Sequence, residues 1–186
     1  MRGFIAILFV GLFLNACSVK YDDISMQNNQ LQISSIDHKT KEQIDSLAMM
    51  ISNISYSIDK NEAYDLAKNS IYYSMYLANR YDLVKPPSFQ NFLVNQKLRE
   101  KGLCYHFASD LGEFLLDNQY KTISLYRVVA NEGSYFLEHH ALSITAKEKT
   151  FKEGIVLDAW RKSGNLFFTY LKEDKEYKWK LKKQLQ

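Results

Sequence analysis

Two prolines and seven glycines among 186 residues leave this chain little local punctuation. Element boundaries must therefore be read from periodicity rather than from breaks. Cysteine is equally scarce: with only Cys17 and Cys104, a disulfide-stapled scaffold is excluded. Charge of one sign is also missing. The 24 Lys and Arg residues against 21 Asp and Glu are too evenly matched to point to nucleic acid or to a strongly acidic partner. There is no internal repeat and no low-complexity tract. The single long hydrophobic run, Phe4 to Leu14, has eleven residues broken only by Gly11. That is too short to cross a bilayer as a permanent helix, but it suits the apolar core of a secretory signal.

What surrounds that run gives it a destination. Met1-Arg2-Gly3 supplies one positive charge before it, and Leu14-Asn15-Ala16-Cys17 follows. This ending resembles the lipobox of bacterial lipoproteins, with Asn15 the less usual residue in it. The resemblance implies a signal peptide at 1–16, cleavage before Cys17, a diacylglycerol thioether on its sulfur and an acylated amino group. Multiple acyl chains, palmitate among them, would anchor the protein stably to a lipid bilayer. Ser18 is not the aspartate that retains such proteins at the inner membrane of enteric bacteria. The expected location is the cell envelope, at the outer membrane facing the periplasm in a Gram-negative source. Cleavage removes Arg2 and no acid, so the mature chain carries a formal +2 instead of +3. Residues 17–35 are polar and without sustained period, and read as a lipidated tether. The remaining 36–186 are enough for one domain with a sizeable core.

From about Lys39 the apolar residues recur at helical spacing: Ile44, Leu47, Met50 or Ile51, Ile54 and Ile58. Asp59-Lys60-Asn61-Glu62 looks like a capping box, opening a second helix to about Arg80. Its inward stripe is Ala63, Leu66, Ala67, Ile71, Met75 and Ala78, with tyrosines flanking. Pro86-Pro87 breaks the chain, Ser88 is a plausible N-cap for a short helix to about Arg99, and Gly102 fits the residue after a helix end. A fourth helix, 103–116, then carries Phe107, Ala108, Leu111, Phe114 and Leu115 on its core side. Cys104 shares that side one turn from the N-terminus, where free backbone N–H groups and the helix dipole favour negative charge. If Cys17 is acylated, Cys104 is a thiol without a cysteine partner. The helix alone leaves two readings open, a nucleophile or a small residue filling a helix start.

After Asn118 the period changes to two. Ile123 to Val129 reads as a strand, Asn131-Glu132-Gly133-Ser134 as a hairpin turn, and Phe136 to Ala146 as the next strand. That strand contains His139 and His140, which alternation sends to opposite faces. His140 goes with Leu142 and Ile144, and His139 with Ala141, Ser143 and Thr145. The more apolar company places His140 inward as the candidate base and His139 at the surface. Ile155 to Trp160 is a third strand. Its Asp158 is costly to bury without a bonding partner, such as a histidine N–H on the neighbouring strand, or else it faces water at the strand end. Leu166 to Tyr170 is a fourth strand. Tyr177 to Lys182 closes the chain with alternating lysines of the kind that protect a sheet edge.

Cysteine at a helix start, histidine 36 residues on and aspartate 18 further resemble the transglutaminase-like branch of the papain-like superfamily. The residues that carry the likeness are Gly102-Leu103-Cys104, His140-Ala141-Leu142-Ser143-Ile144 and Leu157-Asp158-Ala159-Trp160. The resemblance spans about residues 88–170. It implies an α+β fold in which N-terminal helices and a cysteine-bearing helix pack on a small antiparallel sheet. It also implies a catalytic set of Cys104 as nucleophile, His140 as general base and acid, and Asp158 orienting the imidazole. The activity so implied is that of a thiol hydrolase or acyltransferase, acting on peptide or amide bonds of protein or cell wall and needing no cofactor. No Gln or aromatic residue aligns with the family's second oxyanion donor; Gln90 and Gln96 lack a distinctive context. Nor is there an acidic cluster like the calcium sites of animal transglutaminases. His106 lies about 200° round the helix from Cys104 and cannot be the base. The alternative is an envelope binding or assembly module that keeps the fold without turnover. A metal site on Cys104, His140 and Asp158 lacks a fourth ligand at any recognisable spacing.

Overall fold

The computed structural model describes residues 18–28 and 30–186, so the signal peptide and acylated Cys17 expected from the sequence lie outside the described residues. The architecture is α+β. Among the described residues, four helices, α1 (His38–Ser52), α2 (Lys60–Arg80), α3 (Pro87–Asn95) and α4 (Cys104–Leu116), accompany two sheets. A two-stranded sheet pairs β1 (Ile24–Gln27) with β2 (Gln30–Ile33). The main antiparallel sheet has the order β6-β5-β4-β3-β7, built from β3 (Ile123–Ala130), β4 (His139–Ala146), β5 (Ile155–Asp158), β6 (Phe167–Tyr170) and β7 (Lys180–Gln184).

α2 is the central helix. Asp59 caps it by accepting from the Asn61 and Glu62 N–H groups at 2.8 and 3.0 Å. The Glu62 carboxylate does not close the expected reciprocal box. It accepts from the N–H groups of Lys121 and Thr122 at 2.7 and 2.8 Å, tying the helix start to the entry of β3. Tyr72 and Tyr73 are buried with the predicted stripe, because α1, α4 and the sheet surround this helix on more than one side.

The described residues of the expected 17–35 tether include several that pack on the folded domain. Val19 and Ile24 are buried, Val19 N–H donates to the Leu83 carbonyl at 2.8 Å, and Asn79 exchanges two 2.8 Å hydrogen bonds with the Tyr21 backbone. A few apolar side chains and a half-buried asparagine on α2 supply what a polar, aperiodic stretch lacks by itself. α1 ends at Ser52, short of Ile54 and Ile58, and α3 ends at Asn95 rather than Arg99.

The sheet is covered on both faces. Leu125, Leu142, Ile144, Ile155 and Leu157 join the helices in the larger core. Val128, Ala141, Val156 and Leu171 form a second core with Phe151, Phe167 and Trp179 on the opposite side. β7 is an edge strand whose residues are all exposed, and it follows the segment that folds over this second face. That second layer decides the site.

Candidate active site

The approach to Cys104 is held by a glutamine and two local devices. Gly102 adopts φ +127, and a Cβ there would stand 2.6 Å from the Gln90 side chain, so both conformation and space demand glycine. Gln90 is fully buried. It accepts from Val84 N–H at 3.2 Å and donates to the Lys101 carbonyl at 2.9 Å, so its amide is spent on the backbone and is not turned toward Cys104. Gln96 is exposed at the end of α3. His106, excluded as a base, serves the backbone instead, and its Nδ1 accepts from the N–H groups of Gly102 and Leu103, both at 3.2 Å. Burial, with Lys101 nearby, holds the His106 pKa below its ordinary value, in keeping with an accepting, neutral ring. Cys104 is the first residue of α4, so its own N–H has no acceptor within the helix.

The histidine beside the thiol is His139, not His140. His139 is 3% exposed; its Nε2 lies 2.6 Å from Asp158 Oδ2, and Cys104 is close enough to favour the charged form of the ring. Asp158 occupies one ring nitrogen, which leaves Nδ1 for the sulfur. Cys104 Sγ lies 3.8 Å from the Glu138 carbonyl, one residue before His139. Burial alone would depress the His139 pKa. Asp158 and Cys104 together outweigh it and raise the value to about 9. An imidazolium is therefore the resting form at neutral pH.

His140 faces the helices, as its apolar neighbours imply, but it pairs with Glu138 through Nε2 at 2.8 Å. Its Nδ1 is buried without a partner. Burial, aided by Arg127 and Lys182, lowers its pKa against the pull of Glu138. The expectation of His140 as the base fails because it assumed that only one face of the sheet is covered. Tyr177, Trp160 and Trp179 surround the His139 ring at centroid distances of 4.4, 5.0 and 5.5 Å. The polar-looking face is thus a second interior. His139 also begins β4, at the end of the sheet, where a residue of that face can meet the first turn of α4.

Asp158 is buried at 1% exposure and fully bonded. Its Oδ1 accepts from the N–H groups of Trp160 and Arg161, both at 3.1 Å, and its Oδ2 from Arg161 Nε at 3.0 Å. The other end of Arg161 makes a bidentate pair with Asp174 at 3.2 and 2.8 Å. The guanidinium is sandwiched between Phe167 and Tyr177, 4.0 and 4.7 Å from their centroids. Asp174 in turn accepts from Trp179 Nε1 at 2.9 Å. Burial works against both ions, but each partner's charge prevails, raising the Arg161 pKa and lowering that of Asp174. Only the fold brings Asp174 to Arg161.

Cys104 opens onto a cleft of about 670 Å³ between α3, the start of α4 and the loop joining β3 to β4. Asn91 lines it. Trp160 Nε1–H donates to Asn91 Oδ1 at 3.0 Å, and an indole can only donate, so the amide is fixed with its NH2 left to offer. The sequence offered no sign of this donor, because the resemblance implies Gln or an aromatic residue in that place and not Asn. Comparison with known protein families, with curated proteins and with solved structures finds no match for this chain.

Proposed function

We propose that this protein is a transglutaminase-like cysteine hydrolase or acyltransferase acting on amide bonds of protein or cell wall, exported and lipid-anchored through Cys17. The observation that carries the enzymatic part is the buried His139–Asp158 pair beside a thiol at the first position of a helix. The lipid anchor rests on the lipobox-like sequence alone. Cys104 attacks the carbonyl carbon, and the imidazolium of His139 gives its proton to the departing amine. The resulting thioester is resolved by water or by a second amine, with His139 now taking the proton. Asp158 orients the ring and favours its charged form. The Cys104 N–H and the Asn91 amide supply two donors for the oxyanion.

The reading is tested by iodoacetamide labelling at pH 7. Cys104 is expected to react at least tenfold faster in the folded protein than in a urea-unfolded control, and equal rates would sink the proposal. The role of Asn91 separates cleanly from that of the thiol, because alkylation forms no oxyanion. Asn91→Ala is expected to leave the iodoacetamide rate within a few-fold while slowing acylation by a p-nitrophenyl ester about a hundredfold. Equal slowing of both reactions would instead make Asn91 a structural residue.

A further inference from the structure

We propose that the cleft beside Cys104 is a subsite for an uncharged aromatic or large aliphatic group of the substrate. α3 is packed inside out, burying Gln90 and leaving Phe92 51% exposed. Across the cleft, the 131–138 loop holds Tyr135 and Phe136 at 87% and 88% exposure, their rings edge to face at 4.8 Å. Tyr105, next to Cys104, is 44% exposed. All four rings line the cleft that contains the thiol.

The loop is not loose. Leu137 and Glu138 N–H both donate to the Ser134 carbonyl, Asn131 Nδ2 donates to the Leu137 carbonyl at 3.1 Å, and Gly133 N–H donates to Glu138 Oε2 at 2.7 Å. Its polar groups are thus satisfied internally while its rings stand in water, an arrangement that marks a binding surface rather than an unfinished core. The charges at the cleft are also spent. Glu138 is bonded to Gly133 and His140, and among the described residues no lysine or arginine lines the cleft. A carboxylate entering here would lose water and meet the carboxylate of Glu138, whereas an aromatic group would meet four rings. The volume falls within the range of small-ligand sites.

The inference rests on Cys104 being the reactive group, and the test keeps the two apart. Cys104 alkylation by iodoacetamide is compared with that by N-benzyl iodoacetamide and by a carboxylate-bearing iodoacetamide, each normalised to its rate with free cysteine. The benzyl reagent is expected to gain at least tenfold over iodoacetamide, and the carboxylate to gain nothing. Phe92→Ser with Phe136→Ser is expected to return the benzyl ratio to that of free cysteine, while Tyr56→Ser, at a fully exposed residue, keeps it. Fast iodoacetamide labelling without a benzyl preference, or a preference that survives the double substitution, overturns the subsite and leaves the enzyme reading standing. Slow iodoacetamide labelling removes that reading itself. In a Cys17→Ser protein, liposome flotation lost with Phe136→Ser, in the absence of a benzyl preference, would assign the loop to a lipid surface and also overturn the subsite.

Discussion

His139→Ala is expected to slow acylation of Cys104 by a p-nitrophenyl ester by about a thousandfold, while His140→Ala changes it by less than about tenfold. The two residues are neighbours on one strand, so composition and distance along the chain cannot separate them; their partners do. His139 bonds Asp158 and has Cys104 beside it, and His140 bonds Glu138. A larger loss from His140→Ala would overturn the assignment. A pH titration of the His139 ring followed by NMR gives a second test. Its midpoint is expected near 9, and is expected to fall in both Asp158→Asn and Cys104→Ala, since each removes a group that favours the charged ring. The sign carries through to stability. The folded-state pKa lies above the unfolded one, so the pair's contribution is complete below about pH 6.5. It is lost as pH rises through about 9. A titration midpoint at or below 6.5 would mean that His139 is not paired as described.

Arg161→Ala is expected to lower the unfolding free energy by about 3–5 kcal/mol, read as a drop in the urea midpoint. The guanidinium bridges Asp158 and Asp174, which are 1% and 2% exposed at the side chain, and its removal leaves two buried carboxylates without their cation. Arg161→Lys is expected to recover little. A single ammonium cannot serve Asp158 through Nε while gripping Asp174 with both terminal nitrogens, nor can it stack flat between Phe167 and Tyr177. A loss below about 1 kcal/mol, the usual worth of a surface pair, would show that the network is solvated and does not brace the site. Because Arg161 shares Asp158 Oδ2 with His139, removal of its positive charge should also raise the His139 titration midpoint.

Much of the chain was legible because its signals are local. α2 begins at Lys60 and ends at Arg80 as its cap and periodicity indicate, and α4 and β3 fall within a residue of their expected bounds. Cys104 and Asp158 stood out, one as a lone thiol opening a helix and the other as a charge in an apolar strand. The histidine was misassigned for an identifiable reason. Leu142 pairs with Leu157 and Ser143 with Val156. Continuing that register sets Asp158 opposite Ala141, on the face of the sheet that His139 shares and His140 does not. The alternation was read correctly, but the face was chosen by apolar content, and Trp160, Tyr177 and Trp179 supply as good a cover to the other side. The expected start of β4 at Phe136 failed similarly. Tyr135, Phe136 and Leu137 are exposed in the loop, where side-chain bonds from Asn131 and Glu138 hold the backbone in turns.

By itself, the sequence determined the α+β class, the helix that presents Cys104 and the strand that ends in Asp158, because caps, periodicity and burial cost act within a few residues. Only the tertiary structure decided which histidine meets them. It folded Asp174 and Trp179 back over the second face, brought Arg161 between two carboxylates, and fixed Asn91 in the cleft of the thiol through an indole 69 residues away. Those choices depend on strand register and on what covers a surface. Both are fixed by contacts between distant segments, and neither leaves a period in the chain.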